Sequence, residues 1–424
     1  AGLPVALWIV TNPRVALFQY VFCLFIQYPV VPSAPIYLTD ISAMLVIIAA
    51  FLDVVMRGHL PKNLPRLSLN YIYIILAVII CGILGCWPEL LVQRVLSLLL
   101  IIVTFFALYR LIPRVQIARL VRWFFALALL HAVVALIPFI ATGGEQRSFA
   151  FTAVLFDDQA MSALPLALAL YLGAKEKKAV LYLIGAIVLF LGLIATQSRA
   201  PIILALAACL FVTATAYHYS RRFTTDKVFA QTIKQKLRRL ILLAAAALVG
   251  LFVLSQGLLG SVLTRFEQML ASRPDVSTAH RVVLWKLAVT AFADHPILGV
   301  GPGAFPRLHR IYPEVHLTEH YHGIRGLSAH NLFLHYLAET GIVGGIGIIA
   351  LVVNLFRLAR RRWIHRGKLP PDIALALYGW AFLFGLSTFA EAGWMWGGLK
   401  FLAVFFSALI ARQYAAKSST TDTP

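Results

Sequence analysis

The chain has 424 residues, of which 61% are apolar and 13% charged, and its mean hydropathy is +0.85. These values exclude soluble, disordered and disulfide-rich secreted proteins, and near-continuous apolar runs of roughly 17 to 23 residues exclude the short alternating strands of an outer-membrane barrel. A formal net charge of +20 would suggest nucleic acid in a soluble chain, so its meaning depends on where Lys and Arg fall along the apolar pattern.

The first ten residues are apolar with no basic segment before them, so no cleaved signal peptide is expected, and a chain without an initial Met reads as trimmed or tagged. Twelve spans follow, at about Val15 to Val31, Ile36 to Met56, Tyr71 to Trp87, Val95 to Tyr109, Leu120 to Ala141, Met161 to Leu172, Ala179 to Ala195, Pro201 to Tyr217, Leu240 to Leu254, Gly341 to Phe356, Ile373 to Phe389 and Leu399 to Ile410. Between them, basic clusters fall on alternate loops: Arg57/Lys62/Arg66, Arg110/Arg114/Arg119/Arg122, Lys175/Lys177/Lys178, Arg221 through Arg239, Arg357 through Lys368, and Arg412/Lys417. The positive-inside rule then puts these loops and both termini in the cytoplasm. Topology and contact with anionic lipids account for the charge, and no nucleic-acid partner is expected. Cys23, Cys81, Cys86 and Cys209 lie in apolar runs without disulfide or metal spacing and read as small buried hydrophobes.

The pattern predicts an all-α integral membrane protein with about twelve transmembrane helices and one large, partly helical periplasmic loop between the ninth and tenth. Its parts are residues 1–255 (helices one to nine), 256–329 (the loop) and 330–424 (an interfacial helix and helices ten to twelve). A loop that long must fold in part or carry function. Within it, Ala279 to Asp294 reads as an amphipathic helix with apolar positions Val282, Leu284, Trp285, Leu287, Ala288 and Ala291, ended by Asp294 and Pro296. The turn Leu298-Gly-Val-Gly-Pro-Gly-Ala-Phe305 superficially suggests a phosphate cradle, but no strand precedes it and no Lys-Ser/Thr follows, so it reads as a turn. His316-Leu-Thr-Glu-His320 matches the H-x-x-E-H pattern of some zinc peptidases. It sits between Pro313 and Gly323 in a loop, and together with His322 reads as a pH-sensitive segment, so no metal or cofactor is expected.

Two features on the outer side point to chemistry. Arg199, in Thr196-Gln-Ser-Arg-Ala-Pro201, lies at the boundary between two spans. It is either an anchor snorkelling to a lipid phosphate or a guanidinium fork for a phosphate entering from the bilayer. His330-Asn331 opens an amphipathic helix, with the next span starting at Gly341 and Gly344; the imidazole is either structural or a base for a hydroxyl at the membrane surface. Asp157-Asp158 is a close acidic pair before a span. Adjacent helical residues point about 100° apart, which makes a poor chelate and suggests an interfacial pair.

Thr196-Gln-Ser-Arg199, Arg281-Val-Val-Leu-Trp285, His295-Pro-Ile-Leu-Gly-Val-Gly-Pro-Gly303 and His330-Asn331 with Gly341 and Gly344 together resemble the domain shared by O-antigen ligases, O-antigen polymerases and bacterial protein O-oligosaccharyltransferases. The resemblance covers roughly Phe190 to Gly345. It implies transfer of a glycan from an undecaprenyl-diphosphate carrier on the periplasmic face of the inner membrane; for a ligase, the acceptor is a hydroxyl of the lipid A core. It implies arginines on the diphosphate, Arg199 and either Arg273 or Arg281, and His330 as the essential histidine, with His322, Arg265, Asp157 and Asp158 as possible accessory or acceptor groups. A diphosphate is already a good leaving group, so Arg and His suffice without a general acid or a metal, and one displacement would invert the anomeric centre. A polymerase or protein glycosyltransferase of the same superfamily is the near alternative. A twelve-span transporter is the alternative from another class, disfavoured by spans nearly free of charge at their middles.

Overall fold

The computed structural model describes residues 2–26, 30, 36–57, 65–142, 156–174, 176–196, 198–222, 231–242, 276–315, 328–365, 369–389 and 399–415. Among these residues the regular elements are helices, with no β-strand. They are α1 (Gly2–Thr11), α2 (Pro13–Cys23), α3 (Leu38–Arg57), α4 (Arg66–Leu84), α5 (Leu91–Leu111), α6 (Ile117–Ala141), α7 (Phe156–Gly173), α8 (Glu176–Ala195), α9 (Arg199–Arg222), α10 (231–242), α11 (Val276–Asp294), α12 (Leu332–Ile364), α13 (Pro371–Ser387) and α14 (Leu399–Ala415).

Seven described helices are long and apolar enough to cross a membrane: α3, α4, α5, α6, α8, α9 and α12. An eighth span arises if α1 and α2 act as one, although they meet at 114°. The bend is local chemistry: the Asn12 side chain accepts from the N–H groups of Arg14 and Val15, and Pro13 takes the first helical position, so α2 starts anew instead of continuing α1. The helices expected at Met161 to Leu172, Ile373 to Phe389 and Leu399 to Ile410 are present as α7, α13 and α14. Of the expected ninth span, residues 240–242 close α10 and the remainder lies outside the described residues.

Contacts at helix ends show how the chain alternates. At one end, Asp53 of α3 meets Arg110 of α5, Gly173 of α7 abuts Asp372 of α13, and Tyr219 of α9 packs on Trp363 of α12. The Lys236 ammonium of α10 caps the last carbonyls of α7, at Tyr171, Leu172 and Ala174. At the other end, Asp40 meets Lys400, Gln159 donates to Leu24 O, and the Leu332 N–H donates to Thr388 O. The first end collects the basic clusters expected from the sequence, and the second carries the candidate site. Between them, aromatic stacks fill the apolar interior, for example Phe211 of α9 against Phe382 of α13 at 4.1 Å between centroids.

A second, smaller core sits on the site end, formed by Leu284, Leu287, Ala288 and Ala291 of α11 with Val300, Ala304, Phe305, Leu308, Tyr312, Ala329 and Ala338. The amphipathic reading of α11 holds, but its buried stripe is narrower than expected, because Val282 and Trp285 lie on the exposed side. The reading of the cysteines needs one correction. Cys86 is exposed, because it falls in the turn after α4, where its N–H is held by Val300 O and its side chain points away from the core.

α12 contains a break. Gly341 has φ 56° and ψ −157°, so residues 332–340 and 342–364 are two helices that meet at a kink. The glycine-rich turn fills the gap: Ile342 and Val343 donate to Pro296 O and Ile297 O, while the N–H groups of Val300 and Gly301 donate to Ala338 O and Glu339 O. A Cβ at Gly341 would stand 2.3 Å from Ile297 O. Gly341→Ala should therefore cost more than the about 1–2 kcal/mol of a left-handed L residue, visible as a fall of several degrees in the melting temperature of the detergent-solubilised protein. Gly385→Ala, whose Cβ meets Val352 Cγ1 at 3.2 Å, should fall much less; equal shifts would show that the break is not a tight constraint.

Candidate functional site

His330 is the residue to build from. It is half-buried and adopts φ 47°, a left-handed conformation uncommon outside glycine and one that concentrates at functional sites when neighbours enforce it. The enforcing contacts flank it on both sides. After it, Asn331 is the N-cap of α12, its side chain accepting from the Leu334 N–H at 3.0 Å. Before it, Ala329 is fully buried and clamped at both backbone groups: Trp285 Nε1 donates to its carbonyl at 2.9 Å, and its N–H donates to His335 Nδ1 at 3.5 Å.

His335 leads to a buried carboxylate that the sequence reading did not single out. Glu339 lies one turn further along α12 and is 2% exposed. Its Oε1 faces His335 Nε2 at 3.3 Å, Arg94 Nη2 at 3.5 Å and the Phe305 N–H at 3.1 Å. Because Nδ1 accepts from the Ala329 N–H, Nε2 is the ring nitrogen that faces Glu339. Phe305 stacks on the His335 ring at 4.7 Å, and a Cβ at Gly303 would meet Arg94 Nε at 3.3 Å, so the glycine turn closes over the ion pair. A cavity of about 50 Å³ lies beside the pair, lined in part by Arg94, Ser97, Tyr336, Glu339 and Thr340. The signal for this hub was present in the sequence as His335 and Glu339 at i,i+4, a spacing that puts both on one helix face. Arg94 comes from α5, and only folding brings it there.

The arginines take different positions. Arg281 is half-buried on α11, one turn before Trp285 and on the same helix face, so it stands about 6 Å of helix from the group that clamps Ala329. Arg199 is exposed and is the first residue of α9. Thr196 holds the preceding turn, its hydroxyl donating to Leu193 O and accepting from the Ser198 N–H. Asp157 and Asp158 form the first turn of α7, with Asp158 buried and Asp157 half-buried, the divergence expected of adjacent helical positions. Counting 1.5 Å per residue along antiparallel α7 and α13 from the Gly173–Asp372 contact brings Asp157 level with Thr388, whose carbonyl accepts from the Leu332 N–H at the start of α12. Arg265, Arg273, and the His316 to His322 stretch with His322 lie outside the described residues. Among the described residues, no three His, Cys, Asp or Glu side chains gather at one point.

Residues 184–349 match the family model described as O-antigen ligase. The match spans less than half of the chain and supports an O-antigen ligase superfamily member. The matched segment contains Arg199, Arg281, the glycine turn, His330 and Gly341, the elements that geometry gathers around Ala329 and the α12 break, together with the Arg199 turn at the same end. That family is one of ligase- or polymerase-type activity, which supports an enzyme and a lipid-linked glycan donor. No curated protein matches the chain.

The hub can be tested without an activity assay. Removing one partner of a buried ion pair costs about 3–5 kcal/mol, whereas apolar replacement of both is often close to neutral. Glu339→Leu is expected to lower thermal stability strongly, and Arg94→Leu in that background to restore part of it. A double variant no more stable than Glu339→Leu alone would mean that Arg94 and Glu339 are energetically uncoupled.

Proposed function

We propose that this protein is a periplasmic-face ligase of the bacterial inner membrane that moves a glycan from undecaprenyl diphosphate to a hydroxyl of the lipid A core. The observation that carries the reading is the left-handed His330, set by the clamped Ala329 before it and the helix cap after it, at the end of the bundle where Arg281 and Arg199 also lie. In this reading the chain crosses the membrane twelve times, with both termini in the cytoplasm and the 256–329 loop outside. The segregation of basic side chains to the opposite end of the described helices supports that orientation.

The chemistry is one displacement. The acceptor oxygen attacks the anomeric carbon as the bond from that carbon to the carrier diphosphate breaks; the diphosphate leaves with the electron pair, and His330 takes the acceptor proton. The configuration inverts. Arg199 and a loop arginine stabilise the charge growing on the diphosphate. Arg281 is assigned to that second place because α11 carries it beside the Trp285 contact to Ala329; Arg273 is the alternative. Asp157, Asp158, Arg265 and His322 are proposed to contact the acceptor or shape its site. Two guanidiniums supply the neutralisation that a divalent cation supplies elsewhere, so the proposed reaction is metal-independent.

The deciding experiment incubates purified protein with lipid-linked glycan and either core lipopolysaccharide, a pilin-like peptide or no acceptor. Product on the core supports the ligase; longer glycan without core would make the enzyme a polymerase, and product on the peptide a protein glycosyltransferase. His330→Ala should lower transfer by about 10² to 10⁴ with fold and donor binding retained, and a variant keeping a tenth of the wild-type rate would remove His330 from the base role. Arg199→Lys should insert normally yet lose most of its turnover, since an ammonium offers one point charge where the guanidinium offers a planar fork; full activity would leave Arg199 as an interfacial anchor. Excess EDTA should leave the rate unchanged, and loss with rescue by one added cation would overturn the metal-independent step.

A further inference from the structure

The end of the bundle opposite His330 holds an arrangement the proposed transfer does not use. Asp53 is fully buried one turn before the end of α3, and its carboxylate receives Arg57 Nε at 3.1 Å, Arg110 Nε at 2.8 Å and Arg114 Nη2 at 3.0 and 3.2 Å. Those four contacts use the roughly four acceptor sites a carboxylate has. Three guanidiniums carry many more donors than that: the Arg114 side chain is 31% exposed, and its buried Nε has no hydrogen-bond partner. Arg412 of α14 adds a fourth cation at this corner, its guanidinium 5.0 Å over the ring of Tyr109, next to Arg110, while α14 packs on the turn Ile112–Arg114. Among the described residues here, three guanidiniums therefore meet one carboxylate, and a fourth is oriented by an aromatic ring beside them.

The surroundings define the ligand further. Arg57 is about half exposed, with its side chain at 52%, and so reaches beyond the helix end. On α5 the exposed apolar residues Leu96, Leu99 and Val103 fall at the helical spacing that leads to Arg110. An apolar stripe ending in oriented guanidiniums matches an amphiphile with acyl chains and an anionic head. A free anion would have no use for the stripe, and an isolated snorkelling arginine would not need the buried Asp53.

We propose that the corner formed by α3, α5, the turn after α5 and α14 is a binding site for an anionic phospholipid, its phosphodiester held by Arg57, Arg110, Arg114 and Arg412. This assignment is independent of the transfer chemistry. Arg114 and Arg57 supply the open donors, Arg412 closes the site from α14, and Asp53 keeps the guanidiniums apart and aimed.

The test is retention of lipid by the purified full chain, read by native mass spectrometry after exchange into mixed micelles of phosphatidylglycerol and phosphatidylcholine. The wild type should keep phosphatidylglycerol preferentially, and Arg57→Gln/Arg114→Gln should lose that preference by about tenfold or more, given the strength of Lys/Arg attraction to anionic headgroups. Lys177→Gln/Lys178→Gln, which removes two exposed cations at the start of α8, should leave it unchanged. Equal losses in the two double variants would reduce the effect to diffuse charge and overturn the site. Displacement of phosphatidylglycerol by millimolar inorganic phosphate would make it a free-phosphate site and overturn the lipid assignment. If the arginine pair prevents folding, Arg412→Gln and Arg57→Gln singly should each lower the preference several-fold, and retention at the wild-type level in both would equally reject the proposal.

Discussion

Where α12 breaks at Gly341, two backbone N–H groups and two carbonyls lose the partners a continuous helix would give them. Buried backbone groups cannot be left unpaired without a cost of several kcal/mol, and the cost is greatest near hydrocarbon. The turn from Pro296 to Gly301 pairs all four, donating where Ala338 and Glu339 have lost a donor and accepting where Ile342 and Val343 have lost an acceptor. The segment after α11 is thereby fixed to α12 by main-chain bonds. Gly299 and Gly341 are required there because the two backbones approach too closely for a Cβ, which would stand 2.4 Å from Glu339 C or 2.3 Å from Ile297 O.

Everything that positions His330 follows from that junction. Once the turn is docked, Phe305 presents its N–H to Glu339, and Arg94 is closed off beneath Gly303. Glu339 then orients His335, whose other ring nitrogen meets the Ala329 N–H, and α11, packed on the same small core, adds Trp285 to the Ala329 carbonyl. The left-handed backbone at His330 is the residual strain of a segment held from both directions. Such strain persists where the surrounding structure over-determines it.

The two ends of the bundle treat charge in opposite ways. At the site end, Arg94, Glu339, Arg307 and Glu89 stand in pairs, with Arg307 also resting 4.8 Å over the Trp87 ring, so the support of the site is rigid and close to neutral. At the other end one buried carboxylate gathers an excess of arginines, leaving cationic groups directed at whatever lies beyond the helix ends.

Hydropathy determined the helical class and the amphipathic α11, because burial in hydrocarbon and the pairing of backbone groups within each span are local demands that composition reveals. The order of motifs likewise made Arg199, Arg281, His330 and the two glycines legible. What the sequence left undecided were contacts between distant segments: Arg94 with Glu339, Trp285 with Ala329, and the turn inserted at Gly341. The glycine turn reads in sequence as punctuation, since nothing local says that its amides replace those of a helix some forty residues later. The place of Arg281 depended on tertiary structure for the same reason: helical spacing places it beside Trp285, but only the packing of α11 on α12 brings Trp285 to Ala329.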